Sequence, residues 1–402
     1  MTDLTMDPVP EGEIVDRLRK LQDAMQESQI GGAFIVQNAD LFYFTGTLQS
    51  GALFVPERGD PTYFVRKDLA RARRESPIRS IEAFGTMREL PQALARLGYF
   101  GLRTLAFEWD VMPVALYDRY RKAFHDARHV DLSPILRRLR RVKSPYEVEC
   151  MRAAARQADN VFCHAKEVIR AGMTELELAA ELERCARLQG HPGLIRMRSF
   201  NGEMVFAHVF SGPNSAVPAY LDTPLGGVGL HPSFGQGAGY RQIRAHEPIV
   251  VDTGSFAYGY LADQTRVLCI GDLPEPLAQA YADMQAVQRH MKRIVKPGVS
   301  WTAVYESCLQ LANEQGHAGQ FMGIRGAQAR FIGHGLGIEI DEQPLIAPGF
   351  DDERFEVGMT FAFEPKAVFD GLGAVGIENT FVVVKDGVDT ITYSDESLAI
   401  VN

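Results

Sequence analysis

The stretch IVVDTGSFAYGYLADQTRVLCI, residues 249–270, places two acids inside what otherwise reads as a buried hairpin. Ile249, Val250 and Val251 begin a strand, residues 255–259 carry turn signals, and residues 260–268 read as the returning strand. Asp252 and Asp263 flank that turn, and their midpoint falls within it. The spacing predicts that they face each other across an antiparallel pair. Directly opposed like charges destabilise a sheet, so a buried pair needs a cation or a proton.

A second pair repeats the pattern. Glu364 and Glu378 have their midpoint at Gly371, within Asp370-Gly371-Leu372-Gly373, which links residues 359–369 to residues 374–384. Hard divalent ions with oxygen ligands would supply the compensating charge, and two ions about 3.5–4 Å apart suit four carboxylates. The imidazole candidate is His334 in Gly333-His334-Gly335-Leu336-Gly337, where flanking glycines would let a metal and substrate approach closely. The order Asp-x10-Asp, His, Glu-x13-Glu thus predicts a metal site made of Asp252, Asp263, His334, Glu364 and Glu378.

Composition agrees with this reading and narrows the partners. The chain has 402 residues, 46% hydrophobic and 23% charged, which is globular composition with length for more than one domain. Acidic residues outnumber basic ones, 51 to 42, for a formal charge of −9. That balance argues against a nucleic-acid or anionic-membrane binder. No run approaches the roughly 18 apolar residues of a membrane span, and residues 1–10 lack a basic segment followed by an apolar one; the expectation is a soluble, cytoplasmic protein. Cys150, Cys163, Cys185, Cys269 and Cys308 include no C-x-x-C pair, so neither a disulfide framework nor a thiolate zinc site is expected. Cys163, His164, Cys185 and His191 match no ligand spacing and read as residues of helices.

Residues 1–142 alternate helical and strand patterns and form an α/β domain. Ile14, Leu18, Leu21 and Met25 predict a helix; residues 33–36, 52–55, 63–65 and 105–107 predict strands, and residues 114–124 a further helix. This part has no Gly-rich phosphate loop and no clustered acid, base and nucleophile. The basic run Arg137, Arg138, Arg140, Arg141 and Lys143 reads as a solvated helix end and linker into a second domain, residues 143–402. Ser144-Pro145-Tyr146-Glu147 is a capping box, and Thr174 to Glu177 repeats it at the start of a helix ending at Gly190. An offset of 126 positions pairs Gly172 with Gly298, Gly190 with Gly316, His191 with His317, His208 with His334, Pro218 with Pro344, and Asp252 with Glu378. The ordered matches predict a duplicated α+β unit with two-fold pseudo-symmetry and a site between its halves.

The segments Asp252-Thr253-Gly254, Tyr260-Leu261-Ala262-Asp263-Gln264-Thr265-Arg266, Gly333-His334-Gly335, Phe363-Glu364-Pro365 and Ile377-Glu378-Asn379 resemble the family of prolidase, aminopeptidase P, methionine aminopeptidase and creatinase. The resemblance covers most of residues 145–395, and the preceding α/β domain resembles the N-terminal domain of the prolidase and creatinase branch. It implies an α/β N-terminal domain of the creatinase and prolidase type, followed by an α+β pita-bread catalytic domain with an internal pseudo-two-fold repeat. It also implies two divalent ions: Asp252 holding one, Asp263 and Glu378 bridging both, and His334 with Glu364 completing the other. Manganese is the expected metal, with cobalt, zinc or iron as alternatives. The implied chemistry is metal-assisted hydrolysis of a small peptide, Xaa-Pro substrates first, with Glu364 as proton acceptor and a homodimer as the assembly.

The chain departs from the family pattern at three places. Ala219 stands where family peptidases have a histidine after Val217-Pro218, Asp341 where they have a second histidine seven residues beyond His334, and Gly376 where prolidase-like members carry an arginine. These changes leave the metal ligands intact and open a second substrate class, a small non-peptide handled by C–N hydrolysis or lyase chemistry. A non-catalytic binding protein on the same fold would be expected to have lost metal ligands. His208 and His231 are the candidate replacements for the missing histidines, and Asp341 a candidate acid, base or anchor for a cationic substrate group. The Gly- and Pro-rich residues 221–239 exceed the family spacing and read equally as a substrate lid or a surface excursion.

Overall fold

The computed structural model describes residues 8–401 and divides into two compact units, one ending at Arg140 and including Arg198–Asn201, the other comprising Arg141–Met197 and the chain from Gly202. In the first unit the elements run α1 Glu11–Glu27, β1 Gly32–Ile35, α2 Asn38–Thr45, β2 Gly51–Pro56, β3 Thr62–Val65 and α3 Leu69–Glu75. They continue with β4 Ser80–Ala83, α4 Leu90–Arg96, β5 Thr104–Phe107, α5 Val114–Ala123, β6 Arg128–Asp131 and α6 Ser133–Arg141. The strands form one sheet ordered β4-β3-β2-β1-β5-β6, parallel at β1/β5 and antiparallel at β1/β2. Strands β1 and β3 are buried at every position, which is why they read as unbroken apolar runs. Ile14, Leu18, Leu21 and Met25 form the buried stripe of α1, as their helical spacing predicts.

The basic run is only partly solvated: Arg137 and Arg138 are exposed as its sequence reading expects, but Arg140 and Lys143 are buried. Arg140 reaches Asp40 at 2.7 Å and Arg137 reaches Asp110 at 2.7 Å, while Arg198 joins both acids at 2.6 and 2.8 Å. Burial alone would raise Asp40, but Arg140 and Arg198 outweigh it and bring the carboxyl down to about 2. In the other unit Arg141 pairs with Glu353 and Glu356, and buried Lys143 with Glu342 at 2.9 Å. The partners are remote in sequence, so a local reading sees a charge run where the fold makes neutralised pairs.

The second unit begins with α7 Pro145–Val168, α8 Glu175–Leu188, β7 Ala207–Ser211, β8 Ile249–Ala257 and β9 Tyr260–Ile270. It continues with α9 Glu275–Ile294, α10 Trp301–Glu314, β10 Gly333–Leu336, β11 Ile340–Ile346, β12 Thr360–Phe363 and β13 Lys366–Phe369. The last strands are β14 Gly373–Gly376, β15 Asn379–Val384, β16 Gly387–Thr390 and β17 Ala399–Val401. One sheet is ordered β17-β9-β8-β7, a second β11-β10-β12-β15-β16, and β13 pairs with β14. Two helices followed by three neighbouring strands therefore occur twice, as α7-α8-β7-β8-β9 and α9-α10-β10-β12-β15.

Both capping boxes form, at Ser144 with Glu147 and at Thr174 with Glu177. Gly172 and Gly298 both have φ of 90°, and Gly190 and Gly316 have 92° and 90°, so each pair makes the same left-handed exit. The acids match differently from the constant offset. Asp252 lies on β8 and Glu364 just after β12, whereas Asp263 lies on β9 and Glu378 just before β15. The symmetry mates are thus Asp252 with Glu364 and Asp263 with Glu378, not Asp252 with Glu378. Loops of unequal length between the strands shift the offset within each half.

The halves are joined at a polar seam. Arg266 on β9 is fully buried and donates to the carbonyls of Glu378, Ser394 and Asp395 and to the Asn379 side chain. The five cysteines are free, and no helix among the described residues is long and apolar enough to cross a membrane.

Candidate metal centre

The hairpin β8–β9 turns on Tyr258 and Gly259, both at positive φ, and pairs Ala257 with Tyr260. This register sets Asp252 opposite Thr265 and Asp263 opposite Gly254. The two aspartates are diagonal neighbours rather than directly opposed, because the two-residue turn sits one position beyond their midpoint. A shift of two preserves the face, so both still point the same way. Glu364 and Glu378 stand in register with each other, but the ladder breaks there. Between the pairs Phe363–Asn379 and Lys366–Gly376, Glu364 N–H donates to Ile332 O and Glu378 N–H to Thr265 O. The break lets two glutamates project where a continuous hairpin would hold them against each other.

His334 lies on β10, between β11 and β12. The flanking glycines serve the backbone: a Cβ at Gly333 would fall 2.4 Å from Ala362 O, and one at Gly335 2.2 Å from Gln343. They let neighbouring strands close around the histidine.

Around His334 Nε2 converge Glu364 Oε1 at 3.7 Å, Asp263 Oδ2 at 3.9 Å and Glu378 Oε1 at 3.9 Å. Asp263, His334 and Glu378 are buried and each offers a ligand atom within 4.8 Å of the others. The Asp263 and Glu378 oxygens and the imidazole nitrogen fit a divalent ion of the Mn, Fe, Co or Zn type, with Glu364 Oε1 3.7 Å from the same nitrogen. His334 Nδ1 faces Asp341 Oδ1 at 3.5 Å and Gly335 O at 3.2 Å, leaving Nε2 for the site.

The opposite oxygens meet a residue that the sequence reading missed. Lys366 Nζ lies 2.5 Å from Glu364 Oε2, 3.4 Å from Glu378 Oε2 and 3.5 Å from Asp252 Oδ2. Thr265 Oγ1 also donates to Glu378 Oε2, at 2.6 Å. Burial raises Asp252 to about 6 and Glu364 to about 7, with Glu378 adding to both and Lys366 opposing. Burial, then the charges of Glu378, Asp252 and Glu364, push Asp263 well above the usual range. So dense a set of carboxylates calls for more positive charge than one ammonium supplies.

The model of metallopeptidase family M24 matches residues 149–385, more than half of the chain. The chain belongs to metallopeptidase family M24. The creatinase/prolidase N-terminal domain model matches residues 17–142, so the M24 unit follows the N-terminal domain of that branch. An Xaa-Pro dipeptidase of Pyrococcus furiosus is 24% identical over 95% of this chain and 99% of its own length. A probable dipeptidase PepE of Mycobacterium tuberculosis is 30% identical over 66% of this chain and 62% of its own. Among solved structures, an Xaa-Pro dipeptidase from Bacillus anthracis superposes with a TM-score of 0.82 at 24% identity, covering 96% of this chain and 99% of that one. These matches agree with the α/β plus pita-bread architecture expected from the motifs, and the protein is a metallopeptidase-type hydrolase.

The remaining candidates of this M24 chain fall in different places. His208 on β7 pairs with Asp252 across the sheet and meets Gln236 Nε2 at 3.2 Å. Burial and the charge of Lys366 push its pKa down to about 4. His231 is exposed in a tight turn, its Nδ1 taking the Ser233 N–H at 3.1 Å. That turn gives it no bond to the five acid and imidazole residues, so the geometry does not gather it into the centre. Asp341 has φ of 63° and is half-exposed, beside His334. Residues 221–239 are pinned: Gly226 N–H donates to Val217 O, Gly237 N–H to Gly226 O, and Gly239 N–H to the buried carboxylate of Glu175.

Proposed function

We propose that the chain is a metal-dependent peptidase acting on short peptides, with Xaa-Pro dipeptides as its first substrate class. The observation that carries this reading is the convergence of Asp263, Glu364 and Glu378 oxygens on His334 Nε2. The M24 relatives named Xaa-Pro dipeptidases support the substrate class. Residues 143–402 would form the catalytic domain and residues 1–142 the accessory one. Asp263, His334, Glu364 and Glu378 would hold a divalent ion, manganese first, and Asp252 belongs to the same acid cluster. A bound ion would polarise the scissile carbonyl and lower the pKa of the attacking water.

The chain's own groups do the rest. Glu364 is the proton acceptor, as the family resemblance implies, with its Oε2 hydrogen-bonded by Lys366 Nζ. Asp341 keeps His334 oriented through Nδ1. Thr265 fixes Glu378. The five free cysteines favour a reducing, cytoplasmic setting, and the homodimer follows from the family resemblance alone.

Ala219 and Asp341, in place of the family histidines, favour a second reading in which the scissile amide belongs to a small cationic non-peptide. A screen of manganese-loaded protein against Xaa-Pro dipeptides, longer Xaa-Pro peptides and small cationic amides separates the two. The expected result is hydrolysis of the dipeptides, reduced about 10²–10⁴-fold by Glu364→Gln. Turnover of the amides with none of any proline substrate would replace the first reading by the second.

A further inference from the structure

Lys366 opens β13 and lies directly opposite Gly376 on β14. A Cβ at position 376 would fall 2.6 Å from Lys366 Cγ, so the glycine leaves the space in which the lysine stem lies. The family pattern puts an arginine at that position; here the cation comes from the facing strand. The side chain is 2% exposed, and its ammonium is shared by carboxylates from both halves, Asp252 from the first and Glu364 and Glu378 from the second.

The oxygens of the two glutamates are divided between two positions. Glu364 and Glu378 turn Oε1 toward His334 Nε2 and Oε2 toward Lys366 Nζ. One position, bounded by Asp263, His334 and Glu378 Oε1 with Glu364 Oε1 beside the imidazole, suits an ion. The other, bounded by Asp252 and the two Oε2 atoms, holds the ammonium. Divalent ions sit about 2.0–2.2 Å from carboxylate oxygens. An ion at that distance from the second set would occupy the volume of Nζ, and two cations cannot share it.

We propose that Lys366 takes the place of the second metal ion, so that the protein binds one divalent ion per chain and Lys366 Nζ neutralises Asp252 and the outer oxygens of Glu364 and Glu378. The inference rests on the metal-dependent reading and changes its ion count. Against the two divalent ions expected from the charge count, one ion and one ammonium leave the cluster one positive charge poorer. Lys366 acts here as a positioning residue that holds three carboxylates.

The test is metal stoichiometry. Full-length protein is stripped, loaded with excess manganese, freed of unbound ion and assayed by elemental analysis and native mass spectrometry, with electron paramagnetic resonance to distinguish isolated from spin-coupled Mn(II). The expected results are one equivalent and an isolated-ion spectrum for the wild type, and two equivalents with a coupled spectrum for Lys366→Ala. Two equivalents in the wild type would overturn the inference and leave the metallopeptidase reading standing, and this arm does not depend on any variant folding. A single equivalent in folded Lys366→Ala would also overturn it. No bound manganese in the wild type would remove both readings together.

Discussion

Helices α8 and α10 begin in the same way and are held by opposite physics. In the first half Glu175 N–H donates to Arg241 O and Ile243 N–H to Met173 O; in the second, Trp301 N–H donates to Glu353 O and Phe355 N–H to Val299 O. These bonds are repeat mates, bond for bond. The first residue of each helix is fully buried, yet one is Glu175 and the other Trp301. The Glu175 carboxylate accepts from Ser211 N–H, Ser211 Oγ, Asn214 Nδ2 and Gly239 N–H, tying down the long Gly-rich loop. Trp301 instead packs on Phe350 and Phe355, with ring centroids 5.7 and 6.4 Å away. The backbone frame was duplicated, while the anchor became polar where a long loop carries unpaired N–H groups and apolar where the return is short.

Truncating the two anchors should separate these modes, and it carries the largest expected effect. Trp301→Ala should cost about 3–5 kcal/mol by urea unfolding, the ordinary price of emptying so large a core site. Trp301→Phe should cost well under half of that, since the buried indole N–H has no hydrogen-bond partner to lose. Glu175→Gln should cost about 2–3 kcal/mol, because an amide nitrogen would face donors that now meet a carboxylate oxygen. It should also speed proteolysis within residues 219–240, which Trp301→Phe should not. Equal proteolysis of the two variants would mean that Glu175 does not anchor the loop.

The repeat-mate histidines sharpen the comparison in a second way. Burial opposes the charged form of both, but the acids Asp341, Glu364 and Glu378 raise His334, whereas Lys366 adds to burial in pushing His208 down to about 4. A histidine whose folded pKa lies below its unfolded value of about 6.5 takes up protons more readily when unfolded. Its contribution is therefore fully present above pH 6.5 and is lost as pH falls toward 4. The shift corresponds to roughly 1–3 kcal/mol for this half-buried ring. His208→Gln should lose less stability than the wild type between pH 7 and pH 4.5 in metal-free melts. Parallel pH profiles would show that the ring titrates normally in the folded chain.

Much of this architecture was legible because local chemistry is repeated. The capping signatures at Ser144 and Thr174 mark helix starts, and the glycine pairs mark matching helix exits, since each depends on a few adjacent residues. The acid and imidazole candidates could be read because opposed carboxylates on apolar strands have few structural uses. Lys366 could not: a lysine at a strand start ordinarily reads as exposed, and only the register with Gly376 shows where its stem goes. One signal was present, in that Gly376 removed a family cation ten residues from a new one. The diagonal placement of Asp252 and Asp263 was equally hidden, since a midpoint does not say where a two-residue turn closes. The ion pairs of the basic run lie beyond local reading for a related reason: Arg141 meets acids more than 200 positions away.

The smallest effect tests whether the second half can be given a device found only in the first. Thr174 accepts from Glu177 N–H at 3.1 Å, and Glu177 returns a bond from Thr174 N–H at 2.7 Å. Ser300 accepts from Ala303 N–H at 3.4 Å, and the alanine has nothing to return. Thr174→Ala should therefore cost about 1–1.5 kcal/mol and Ser300→Ala about 0.5 kcal/mol. Ala303 is exposed, and the backbone pairing around Ser300 matches that around Thr174. Ala303→Glu should complete the capping box, add an acid at the positive end of α10, and stabilise the protein by roughly 0.3–1 kcal/mol in urea unfolding. The gain should persist in Ala303→Gln, whose amide oxygen can accept the same bond from the Ser300 backbone N–H without a charge, if that bond rather than the helix dipole is its source. A gain confined to the glutamate would assign it to the dipole and leave the two helix starts equivalent in backbone only.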